Sequence, residues 1–135
     1  MRIFQTRLNN GSINLSLLIL RLSVGGFMLT HGLPKLQLLL SGEFQFSDPI
    51  GLGPEVSLVL VVFAEFLCSI FVMLGLGTRL AVIPLIINMV VAAFIVHSAD
   101  PFGRKELAFF FLVSYLVLLL TGSGKFSVDR LIGRK

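Results

Sequence analysis

Residues 56–76 read VSLVLVVFAEFLCSIFVMLGL, an apolar run whose one charged residue is Glu65. At about 1.5 Å per residue, an α-helix of this length crosses the roughly 30 Å hydrocarbon core of a bilayer. The run leads through Gly75-Leu76-Gly77-Thr78-Arg79 into a second one, Leu80 to His97. Two glycines permit a left-handed helix end and Thr78 can cap the next helix, so the two runs form a tight antiparallel hairpin. A further apolar run precedes the hairpin, Ile13 to Leu36, and another follows it, Leu107 to Thr121. The sequence thus predicts an all-α fold, an integral membrane four-helix antiparallel bundle formed as one domain over residues 1–135. Its spans are approximately 13–36, 56–76, 80–97 and 107–121.

Composition agrees. The chain is 56% hydrophobic and 13% charged, with a mean hydropathy of +0.97, outside the range of water-soluble domains. The first run is too long for a signal peptide, carries Arg21 and lacks a small-x-small cleavage site, so it is expected to stay in the mature protein. The net charge of +4 comes from scattered basic residues beside apolar runs, which suits anionic lipid headgroups and excludes nucleic acid as a partner. A single cysteine, Cys68, excludes an internal disulfide, a thiol-exchange pair or a zinc knot.

Lys and Arg near the span ends set the orientation. With the N-terminus inside, Arg2, Arg7, Arg79, Lys125, Arg130, Arg134 and Lys135 lie inside, against Lys35, Arg104 and Lys105 outside. Both termini are therefore expected on the cytoplasmic side. The acidic loop Ser41 to Glu55 lies outside, and residues 125–135 form a short amphipathic helix in the cytoplasmic headgroup layer.

Charged groups at membrane depth cost at least about 2.5–3.5 kcal/mol unless paired or hydrated. Arg21 lies about 12 Å from the inner start of its span and Glu65 about 16 Å from the inner end of its own, which predicts an intramembrane ion pair. The pair either locks helix packing or founds a polar pocket or proton path. A second set gathers at the outer face. His31 and Lys35 are one turn apart, His97 ends the third span, and Glu106 opens the fourth, with Asp100, Arg104 and Lys105 in the connection between the last two. Histidines at such a level can move protons or hold a ligand such as a quinone carbonyl, or simply meet headgroups and water. Two histidines without a His-x-x-x-His spacing or further ligands predict no metal site, although haem between them is geometrically admitted. No nucleotide-binding or serine-nucleophile motif is present. Pro34 and Pro84 are expected to bend their helices, and Phe109-Phe110-Phe111 to face lipid and packing neighbours.

The chain resembles the DoxX family of small bacterial membrane proteins over roughly Leu17 to Leu131. The resemblance rests on Arg21-Leu22 with Gly25, His31-Gly32-Leu33-Pro34-Lys35-Leu36, Asp48-Pro49-Ile50-Gly51-Leu52-Gly53 and Ala64-Glu65. It continues through Gly75 to Leu80, His97 with Asp100-Pro101-Phe102, Glu106-Leu107-Ala108 and Thr121 to Asp129. It implies a four-helix protein of the bacterial cytoplasmic membrane and an association with quinone-linked sulfur oxidation or with oxidoreductase assemblies in oxidative stress. The paired cysteines of some relatives are missing here, so no thiol role carries over.

The leading functional expectation is a small redox-associated membrane subunit beside an oxidoreductase partner. Quinone is its candidate cofactor, with His31 and His97 on the headgroup and Lys35 and Glu106 tuning or relaying protons. The alternative is a non-catalytic structural or scaffolding protein of an oxidoreductase assembly. Transport is weaker, because one four-helix unit shows no inverted repeat. Gly25-Gly26 and Ala92-Ala93 allow close helix contact within the bundle or in a homo-oligomer.

Overall fold

The computed structural model describes residues 3–43 and 45–133. Arg2, Arg134 and Lys135, which enter the inner-side count of basic residues and the tail, lie outside them. Among the described residues the protein is helical, without strands. Four long helices, α1 (Asn10–Ser41), α2 (Pro54–Leu74), α3 (Thr78–Val96) and α4 (Phe102–Thr121), are followed by a short α5 (Val128–Ile132). Within α2 and α3 the hydrogen bonding widens to a π-helix, over Phe63–Cys68 and Ala92–Val96.

Capping chemistry, rather than the edge of hydrophobicity, sets the helix ends. The Asn9 side chain accepts from the amides of Gly11 and Ser12, so α1 begins before the apolar run does. It runs through Pro34 to Ser41 and closes on Gly42 in the left-handed region, at φ 78°. Pro54 stands in the first turn of α2, where its missing N–H costs nothing. Gly75 then ends α2, with Gly75 N–H donating to the Val72 carbonyl and Leu76 N–H to that of Phe71, the paired bonds of a Schellman turn. α4 starts at Phe102, so Arg104 and Lys105 sit in its first turns and not in the connection.

α1, α2 and α3 are each long and apolar enough to cross a membrane. α4 carries Arg104, Lys105 and Glu106 at its start, which leaves Leu107 to Thr121 as its apolar part, about 22 Å long. α1 packs along α2, and α4 along α3. The core contains Met28, Cys68, Val72, Val82, Leu85, Tyr115 and Leu118, while Leu80, Phe110 and Leu120 are among many large apolar side chains left on the outside. An apolar exterior of this extent suits a lipid surround.

α1 and α2 touch through glycine. A Cβ on Gly25 would collide with the Met73 side chain, and one on Gly32 would lie 2.8 Å from the backbone carbonyl of Glu65. Gly26 has open space beside it, so of the two adjacent glycines only Gly25 mediates close contact.

The C-terminal segment is more than an anchor. It folds back on the α2–α3 turn, where the Asp129 carboxylate accepts from the amides of Gly77, at 2.7 Å, and Thr78, at 3.2 Å. The Asp129 amide in turn donates to the Gly75 carbonyl. The cap of α3 therefore comes from residues some fifty positions later, and not from Thr78. Asp129→Ala should cost about 1–2 kcal/mol, the range of a lost N-cap, and should speed trypsin cleavage after Lys125 and Arg130. Unchanged cleavage would show that the tail is held elsewhere.

Candidate functional site

In the half of the bundle away from the termini, all four long helices contribute to one cavity of about 180 Å³. Met28, His31 and Lys35 come from α1, Glu65 from α2, Met89 and Ala92 from α3 with His97 at its end, and Arg104 and Phe111 from α4. Three of the expected residues, His31, Lys35 and His97, thus line it together. Glu106 does not. It lies exposed on another face of the first turns of α4, and Arg104, two residues earlier, reaches the cavity instead.

The expected Arg21–Glu65 pair does not form. Glu65, almost fully buried, takes both hydrogen bonds from Lys35 Nζ, at 2.8 Å to Oε1 and 2.6 Å to Oε2. Arg21 is fully buried elsewhere, with Nη2 donating to the Phe126 carbonyl and its guanidinium against Gly75. The ends of α1 and α2 are not flush. The Gly32 contact puts residue 32 level with Glu65, which leaves Arg21 about 16 Å away along α1. The first turns of α1 extend past α2 and pack on the tail, where Leu17 meets Gly124 and the Asn14 side chain accepts from Lys125 N–H.

Aromatic and polar contacts set the walls. The His31 ring stands edge-on to Phe111 at 6.1 Å, and Phe111 stacks on Tyr115 at 6.0 Å. Of the three consecutive phenylalanines, Phe111 belongs to the core and Phe110 is exposed. Phe109 packs against Phe94 and Phe102. Phe111, Tyr115 and Leu118 follow a helical repeat, and that periodicity is the sequence signal that separates Phe111 from its neighbours. His97 Nδ1 lies 2.7 Å from an Asp100 carboxylate oxygen. This bond, with help from Arg104 and Lys105, holds the partly exposed Asp100 carboxyl below the usual range. An ionised Asp100 makes Nδ1 the donor and turns Nε2 away from that bond.

Both π-helical stretches serve this cavity. Glu65 lies within the first, while Ala92 opens the second and His97 follows it. Such insertions recur at functional sites because the extra residue re-aims side chains. Pro84 and Asn88 line a separate apolar groove between α2 and α3. Two larger hollows of about 380 and 440 Å³ border the tail at the opposite end, where Asp129 is already spent on capping α3.

The sequence profile of the DoxX family matches residues 16–98, more than half of the chain. The chain belongs to the DoxX family. It is also similar to the uncharacterized membrane protein Rv3486 of Mycobacterium tuberculosis (strain ATCC 25618 / H37Rv), with 28% identity over 145 residues, covering 89% of this chain and 83% of that protein. No solved structure matches the chain. This DoxX protein is therefore a membrane protein with at least three apolar helices of spanning length, in contact with the lipid bilayer. Every residue of its cavity up to His97 falls within the family match.

Proposed function

We propose that this DoxX protein is a redox-associated subunit of the bacterial cytoplasmic membrane that binds the ring of a quinone in the cavity between its four helices. The observation that carries the reading is the convergence of Lys35, Glu65, His31, His97 and Arg104 on one small cavity walled by Met28, Met89 and Phe111. A quinone ring asks for flat apolar walls and for donors at its two carbonyl oxygens, and reduction to the quinol takes two electrons and two protons. His31 and Arg104 supply donors, the Lys35–Glu65 pair fixes the charge, and His97, oriented by Asp100, exchanges protons with the surface. The electrons come from a partner oxidoreductase docked at this face.

In the same proposal α4 is a fourth span. Its apolar part is short, and Arg104, Lys105 and Glu106 stand in the outer headgroup layer while both termini face the cytoplasm. The cavity then opens on the outer side.

The test is titration of purified protein in lipid nanodiscs with a benzoquinone. Saturable binding is expected, weakened about fivefold by His31→Ala, the equivalent of one hydrogen bond of about 1 kcal/mol. Absence of saturable binding to the wild type, or equal binding by wild type and variant, would remove the assignment.

A further inference from the structure

The polar cavity is too small for a whole membrane quinone. Its volume of about 180 Å³ lies below the roughly 300–1,000 Å³ of ordinary small-molecule pockets. Whatever chain the ring carries must lie outside it, and the neighbouring surface offers a place. A groove of about 280 Å³ runs between α1 and α4, with Leu20, Val24 and Phe27 on one side and Phe110 on the other. Two residues, Leu107 and Phe111, line both the groove and the polar cavity, so the two spaces share a wall. The groove between α2 and α3, about 240 Å³, shares no lining residue with the cavity.

Chemistry changes sharply along this path. The cavity holds charged and imidazole groups, whereas the groove has only Ser23 and Ser114 as polar side chains. The Ser114 hydroxyl is already committed to the Phe110 carbonyl at 2.9 Å. Apolar walls with no free charge suit a hydrocarbon chain. α1 and α4 are also more lightly packed against each other than α1 is against α2 or α4 against α3, and Phe27 and Phe110 stand exposed at the groove's rim. With α4 as a fourth span, as proposed above, that seam opens towards lipid.

Building on the quinone reading above, we infer that the α1–α4 groove holds the isoprenoid chain of the same quinone, which enters sideways from the bilayer. The polar cavity selects the ring and the groove selects the chain. A headgroup of the right chemistry without a tail then binds through half of the site only.

The experiment uses the full protein in nanodiscs of phosphatidylcholine and phosphatidylglycerol. Two probes are compared, a benzoquinone ring without a side chain and the same ring bearing a long isoprenoid chain, with affinities expressed per mole of probe in the bilayer. The tailed probe should bind at least tenfold more tightly to the wild type. Ser114→Trp, which fills the groove from α4, should abolish that advantage and leave the bare ring's affinity unchanged. Phe27→Ala, which removes a wall without adding bulk, should reduce the advantage in a protein that folds even if the tryptophan variant does not. If the bare ring binds but the tail adds nothing, or if both variants keep the advantage, the groove assignment fails and the ring site stands. If a groove variant loses co-purifying phospholipid with no change in quinone affinity, the groove holds a lipid acyl chain and the inference is overturned. If neither probe binds the wild type, the quinone reading itself fails.

Discussion

Lys35→Met should destabilise the protein by about 3–5 kcal/mol, the range for breaking a buried ion pair from one side. The loss should exceed that of Glu65→Gln. The asymmetry follows from where the two groups stand. The Glu65 side chain is 5% exposed and that of Lys35 31%. Without Lys35, the almost fully buried carboxylate loses two short hydrogen bonds and its compensating charge. Without Glu65, the ammonium can swing on its long stem towards the polar end of the bundle, so its own loss is discounted. Lys35→Met combined with Glu65→Met should recover much of the stability, since a well-packed apolar pair often equals a buried ionic one. Equilibrium unfolding in detergent micelles reads all three. A double variant as unstable as Lys35→Met alone would show that the stranded carboxylate is not the source of the loss. A quinone titration separates role from stability, because the apolar double variant should fold and yet lose the proposed ring site.

The helices were legible from sequence because lipid-spanning runs declare themselves by length and by the absence of charge. Their boundaries were less so. Asn9 extends α1 at one end through a polar cap, and α4 starts directly after the extended Pro101, ahead of its apolar part; hydropathy averages away both local effects. Partner choice was the weakest point. Two basic residues on α1, Arg21 and Lys35, competed for one carboxylate, and the outcome depends on the relative slide of α1 along α2. Nothing in either helix alone reports that slide, since Gly32 sets it through contact with a backbone far away in sequence. The Asp129 clasp was hidden for the same reason. The polar end of the bundle was legible as a cluster because His31, Lys35, His97 and the start of α4 all sit at corresponding levels of antiparallel helices. Choosing Arg104 over Glu106 needed the rotation of α4 about its axis, which its mostly apolar faces do not mark. The π-helical stretches had no sequence signal in the residues that form them.

Two glycine-to-alanine changes six residues apart on α1 should have opposite signs. Gly26→Ala adds a methyl into open space and gains the helix propensity that glycine lacks, a stabilisation of about 0.5–1 kcal/mol. Gly32→Ala gains the same propensity but places its Cβ 2.8 Å from the carbonyl carbon and oxygen of Glu65 and 3.0 Å from the Phe66 amide nitrogen. Those are backbone atoms and cannot turn aside as a flexible side chain would. α1 must lift off α2, and overpacking of this kind costs about 1–3 kcal/mol, more than the propensity returns. The displacement acts close to the site, because His31 precedes Gly32 and Lys35 follows it by one turn. Gly32→Ala should therefore weaken the proposed quinone binding as well as stability, while Gly26→Ala leaves that binding unchanged. Gly32→Leu should prevent stable association of α1 with α2 altogether. Thermal unfolding of the variants in nanodiscs, with ring binding measured beside it, checks both signs. A Gly32→Ala protein as stable as Gly26→Ala would mean that α1 and α2 do not meet closely at Gly32, and the Lys35–Glu65 pair would lose the close approach beside it.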